Sequence, residues 1–221
     1  AFSNKLRLKE GLDVCYSVKV NNTEVDWANL AFSDIPTLND TNWNGATVDM
    51  TKKGWRLPTE AEWEFAARGG DASADAWKYS YAGSNTQKDA ANFTSEPYND
   101  TALDNYGWYW YNLEGGASTA LSESSTGADG YGTHEVGKKT ANALGLYDMS
   151  GNVWEWCWDW YSSTVSTTAV TDPTGPASGS YRLLRGGSWS FNAYNCSVSC
   201  RYYNNPGDRV DNRGFWLARC L

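Results

Sequence analysis

The chain is short of the side chains that usually build a protein core. Leucine, isoleucine, valine and phenylalanine together account for 33 of its 221 residues, or 15%. That is below the roughly 20% at which a charged chain reads as disordered. Disorder is excluded by what stands in their place. The chain carries 13 Trp and 14 Tyr, and aromatic side chains bury about 150–250 Å² each. A core of indoles and phenols needs partners for its N–H and O–H groups, so turn-rich backbone is expected. The 21 Gly, with abundant Asn, Asp, Ser and Thr, supply the turns.

Other absences exclude whole classes of function. No apolar run approaches the ~20 residues of a membrane span, and Phe2 to Glu10 is not an apolar leader segment. A net charge of −8 argues against nucleic acid, whose phosphates require a basic face. The single histidine, His134, cannot build a His-ligated catalytic metal centre and reads as a lone loop residue. The five cysteines (15, 157, 196, 200 and 220) are odd in number and lack zinc spacing. The length fits one domain.

Residues 1–10 read as a helix with Ala1, Phe2 and Leu6 on one face and Gly11 as its C-cap. No N-cap precedes Ala1, so further residues are expected upstream. Residues 13–20 read as a strand ending in a turn at Asn21-Asn22. Residues 58–70 are the clearest helix, with Thr59 as N-cap and Glu62 as its capping-box partner. Trp63, Ala66 and Ala67 share its buried face. Residues 71–145 are rich in Gly, Ser, Asn and Tyr, and read as ordered loops pinned by Trp77, Trp108 and Trp110. In residues 146–160 Trp154, Trp156, Trp158 and Trp160 recur at period two, which places four indoles on one face of a strand. Further strands are expected over 181–189, interrupted by Gly186-Gly187, and over 214–219. The fold class is α+β with low regular secondary structure.

Four strings occur in order: GWRLPTEAEWEFAARGG (54–70), NALGLYDMSGNVWEWCWDWY (142–161), RLLRGGSW (182–189) and RGFWLA (213–218). Together they resemble the formylglycine-generating enzyme and sulfatase-modifying-factor family. That resemblance implies an elaborated C-type lectin fold over residues 1–221 as a single domain, with the family's opening strands lying upstream of Ala1. The oxidase members carry two cysteines five positions apart after the Gly-Gly-Ser motif. The matching positions here are Phe191 and Cys196, so one thiol of the pair is absent. A two-thiolate copper site cannot form from Cys196 alone, and Cys200 does not match the motif. The sulfoxide-synthase relatives use a His-ligated iron, which His134 alone cannot supply. Both chemistries of the family look lost.

The segment RGGSWSFNAYNCSVSCRYYNNPGDRVDNRGFWLA resembles the variable region of diversity-generating retroelement proteins of the treponemal type. In these, a template repeat is copied with adenine-directed errors, mainly at Asn codons. Randomising both adenines of an AAY codon cannot reach Lys, Glu, Gln, Met or Trp, and residues 190–215 contain none of the five. Residues 161–188 lack them as well, so the test discriminates weakly. The resemblance implies a binding face over a candidate variable region, 182–219. Its displayed residues are read as Ser190, Phe191, Tyr194, Ser197, Ser199, Tyr202, Tyr203, Asp208, Val210 and Asp211. Tyrosine offers wide amphipathic contact with few rotatable bonds, and Ser adapts its hydrogen bonds. Asp208 and Asp211 are expected to favour basic groups on the partner. If Tyr202 and Tyr203 stand free of the core, replacing both by Ala costs about 0.5 kcal/mol.

The implied function is non-enzymatic binding of a macromolecular ligand of protein type at a cell surface, or as a secreted protein. Nucleic acid is not a partner, and a membrane is approached only through a lipoprotein anchor upstream of Ala1. The alternative is an oxidase of the formylglycine-generating type with a remodelled thiol site around Cys196. No cofactor is required. Asp148, Gly151, Val153 and Glu155 match family positions that hold a structural calcium. The alternative is that the two carboxylates only hydrogen-bond nearby backbone. Cys196 and Cys200 either pair or remain free as small hydrophobes.

Overall fold

A computed structural model describes residues 1–86, 99–112, 132–165 and 168–219. The parts of the expected loop region at 87–98 and 113–131 lie outside the described residues.

The first helix, α1 (Phe2–Glu10), ends as expected at Gly11, which takes a left-handed conformation and returns its N–H to the carbonyls of Arg7 and Leu8. The buried face, however, is Ser3, Asn4 and Arg7, while Phe2 is exposed. The reason is polar: Asn4 exchanges hydrogen bonds with the backbone of Tyr16, donating at 2.8 Å and accepting at 3.3 Å. Phe2 instead meets Phe215. The expected strand over 13–20 is broken into β1 (Tyr16–Ser17) and β2 (Lys19–Val20). Asn21 and Asn22, both at positive φ, turn β2 back onto β3 (Thr23–Glu24). Next come α2 (Thr41–Asn44), capped by Asp40, then β4 (Thr47–Val48), paired with β1, and β5 (Trp55–Arg56).

The helix α3 (Glu60–Ala67) carries the expected capping box between Thr59 and Glu62. Trp63 and Ala67 are fully buried, with Ala66 packed beside them.

The central sheet runs in the order β8 (Tyr202–Asn204), β7 (Arg182–Arg185), β6 (Trp154–Trp160) and β9 (Arg213–Gly214). Its long strand is β6, antiparallel to β7, which pairs with β8. The expected C-terminal strand divides in two. Residues Arg213–Gly214 form β9, parallel to β6, and Ala218–Arg219 form β10, paired with β5. Along β6 the period-two pattern holds, but the more deeply buried face is Glu155, Cys157 and Asp159. Trp156, Trp158 and Trp160 are half-buried opposite it. Arg182 lies between the last two, 4.1 and 3.6 Å from the ring centres.

Two apolar clusters form the core. One joins Trp63, Met149, Cys157, Leu183 and Val198; the other joins Tyr81, Leu103, Tyr109, Ala193 and Cys196. The phenols of the second are satisfied as the composition requires, with Tyr81 donating to Asp100 and Tyr109 to Asp104.

Candidate ligand-binding face

Residues 185–201 are held to the frame at both ends by arginines. Arg185, fully buried, donates to Glu64 at 2.7 Å and to the carbonyls of Val198 and Cys200 at 2.7 and 2.8 Å. Arg201 forks onto both carboxylate oxygens of Glu60 at 2.6 and 2.8 Å and donates to the carbonyl of Ser162. Between them Gly187, at φ 75°, leaves room for Cys196, whose Sγ would lie 2.6 Å from a Cβ at that position. A short 3₁₀ turn, Ala193–Cys196, capped by Asn192, then drives Ala193, Cys196 and Val198 into the core.

This anchoring sorts the sequence-predicted residues. Tyr194, Ser199, Tyr202, Tyr203, Val210 and Asp211 are exposed, and Ser190, Phe191 and Asp208 are half-buried. Ser197 is a correction: it is only 1% exposed, because its neighbours Cys196 and Val198 are pulled inward. Asp208 is corrected in its role. Its carboxylate pairs with Arg213 at 3.2 Å, so its charge is already answered within the chain.

The structure brings three of the predicted side chains into one aromatic row. Tyr202 stacks on the buried Trp154 at 5.1 Å and meets Phe191 at 6.0 Å and Tyr203 at 6.1 Å. Tyr203 stacks on Tyr161 at 4.0 Å and meets Tyr181 at 5.1 Å. Tyr202 and Tyr203 remain 37% and 41% exposed, so the row has a solvent side. Tyr161 and Tyr181 were not in the predicted set. They lie at the ends of β6 and β7, joined by the hydrogen bond from Tyr161 N–H to the Tyr181 carbonyl, and an aromatic closing each strand was the available signal. Phe215 and Trp216, also outside the set, are 49% and 37% exposed.

Cys196 and Cys200 are free thiols in the structure. Burial pushes the Cys196 thiol far above its ordinary value, and Cys200 is raised for the same reason.

The four matched calcium positions follow a turn in which Asp148 and Asn152 adopt positive φ. Asp148 is buried, accepts from the Gly137 N–H at 2.8 Å, and keeps its other oxygen without a hydrogen-bond partner. Glu155 is fully enclosed, and its two oxygens accept the indole N–H groups of Trp63 and Trp216. Burial pushes its pKa up to about 8, with the Asp148 charge adding to the shift. The orphaned Asp148 oxygen, beside a carboxylate that its charge destabilises, fits a hard cation, although both Glu155 oxygens are held by indole N–H groups. Among the described residues no cluster of three or more His, Cys, Asp or Glu forms a metal centre.

A sheet of this order, a Trp-lined long strand and a Gly-Gly turn under the last segment define a class. The chain matches the sulfatase-modifying factor enzyme 1-like domain over residues 23–221, and it belongs to that family. Its structure superposes on Treponema denticola variable protein 1 with a TM-score of 0.78 and 42% identity, over 99% of this chain and 66% of that one. The formylglycine-generating enzyme of Thermomonospora curvata is 36% identical over 80% of this chain and 53% of its own length. The chaperone protein LppX of Paenibacillus barcinonensis is 31% identical over 90% of this chain and 58% of its own length. The chain thus spans little more than half the length of these two curated relatives. The fold is the formylglycine-generating-enzyme type of C-type lectin fold, mixed α+β, as the sequence resemblance implied.

Proposed function

We propose that the protein is a non-enzymatic binding module that presents residues 190–211 to a macromolecular ligand of protein type. The observation that carries this reading is the aromatic row Phe191–Tyr202–Tyr203. It is half exposed, while the segment bearing it is tied down by Arg185, Arg201 and the buried Ala193, Cys196 and Val198. A face of this kind can change its contact residues without disturbing what holds it. The likeness to a variable protein supports the same reading. Display at a cell surface, through an anchor outside residues 1–221, belongs to the proposal. Among the described residues no helix is long and apolar enough to cross a membrane.

Oxidase chemistry is disfavoured by the site itself. The reactive species of a cysteine is the thiolate. Cys196 is buried with a raised pKa, and Phe191 stands where the oxidases carry a second thiol. We further propose that Asp148, Gly151, Val153 and Glu155 hold a calcium ion with a structural role only.

A library randomised at Ser190, Phe191, Tyr194, Tyr202, Tyr203 and Asp211 tests the reading. Most members should fold, with melting temperatures within about 10 °C of the parent, and selection on an unrelated protein bait should enrich binders. A library that largely fails to fold, or folds but yields no binders, contradicts it.

A further inference from the structure

A cleft of about 360 Å³ lies between the N-terminal segment and the loop after β8, with β6 and β7 contributing to its wall. Its size falls in the range of small-molecule sites. Trp27 and Trp43, packed edge-to-face at 5.9 Å, line it on one side. Trp156 and the half-exposed Phe215 line it from the sheet and the C-terminal loop.

The charges around this cleft run against those of the chain. The protein carries a net charge of −8, yet the cleft is bordered by two arginines, Arg182 and Arg209, and a single carboxylate, Asp40. Asp40 is committed to capping α2, accepting the N–H groups of Asn42 and Trp43. Arg209 is exposed and donates to the Pro36 carbonyl. Arg182 is different, being 8% exposed and without an ion pair among the described residues. Its one hydrogen bond runs from Nη1 to the Trp158 carbonyl, and its guanidinium lies between Trp158 and Trp160. Asp159 favours the charged guanidinium through space but makes no ion pair with it. Arg182 stands opposite Trp160 in the sheet and shares its face, whereas Asp159 points to the other face. Its other guanidinium N–H groups make no hydrogen bond among the described residues and are not sealed in the interior, so on the wall of the cleft they can receive an anion.

We propose that this cleft binds a small arylalkyl carboxylate, with its ring among Trp27, Trp43, Trp156 and Phe215 and its carboxylate on Arg182. Arg209 at the rim adds attraction for the same charge. The site does not depend on the aromatic row around Tyr202 and Tyr203.

The test is a titration of the protein with 3-phenylpropanoate and, in parallel, with its neutral amide, followed through the indole N–H NMR signals. The acid should bind about tenfold more tightly than the amide, the size of one charge-assisted hydrogen-bonded contact. Arg182→Gln should bring that ratio to about one, and Arg182→Lys should restore part of it. Should Arg182→Gln fail to fold, Phe215→Ala at the exposed rim carries the test, weakening both probes together. Tyr202→Ala should change neither affinity. No binding of either probe, equal binding of acid and amide by the parent chain, or unchanged binding by Phe215→Ala would overturn the proposal.

Discussion

At the scale of single residues, the account turns on side chains that are neither core nor free surface. Tyr202 and Tyr203 lie about three-fifths buried, one on Trp154 and the other on Tyr161. Each Tyr→Ala change is therefore expected to cost about 1–2 kcal/mol in urea denaturation, above the loss expected of free surface residues. A loss above about 4 kcal/mol would make these rings core and remove them from a binding face. Asp159 offers a pH test. Burial raises its pKa to about 6, against the ordinary 3.8. Between pH 4 and 6 the native state keeps a proton that the unfolded chain has released, so this group lowers stability as pH rises through that window. Asp159→Asn keeps an oxygen for the Glu60 N–H, which now reaches Asp159 at 2.7 Å. The variant should gain on the wild type steadily from pH 4 to pH 7 and hold a constant lead above it; an equal pH profile would contradict the assignment.

At the scale of elements, α3 and β7 share one ionic and hydrogen-bonded joint, and the contact segment hangs from it. Arg185→Ala removes the bonds to Glu64, Val198 and Cys200 and leaves a hole in the interior. The expected loss is about 3–5 kcal/mol, read as a shift in denaturation midpoint; a loss below 1 kcal/mol would mean that the segment is held by something else. The same scale shows what was legible in the sequence. The capping box at Thr59 and Glu62, the Gly11 cap, the Asn21-Asn22 turn and the Trp alternation of β6 depend on local chemistry, and each appears in place. The buried face of α1 did not show, because it is set by Asn4 reaching the backbone of Tyr16 across the fold. Ser197 was misplaced for a like reason. Its burial follows from the contacts that Cys196 and Val198 make with distant residues, which no local pattern announces. Calcium acts at this scale too. If Asp148 and Glu155 hold it, millimolar calcium should raise the melting temperature by several degrees and Asp148→Asn should abolish the rise; a calcium-independent melt would leave the two carboxylates as hydrogen-bonding groups alone.

At the scale of the whole molecule, the shortage of aliphatic side chains has a structural outcome. Trp63 and Trp154 are buried in the frame and Trp158 and Trp160 enclose Arg182, so indoles do much of the work that leucine and isoleucine do elsewhere. Phe191, Tyr202 and Tyr203 spread over that frame as a half-exposed row. The central claim is that this outer layer varies while the frame does not. Sequencing the coding locus tests it most directly. The account predicts a neighbouring reverse transcriptase gene and a near-identical template repeat, with differences confined to template adenines. Those differences should fall in codons for exposed or half-exposed residues such as Phe191, Tyr202 and Tyr203, and spare those for Arg185, Gly187 and Trp189. A lone gene without a repeat, or differences scattered over frame and face alike, would contradict it.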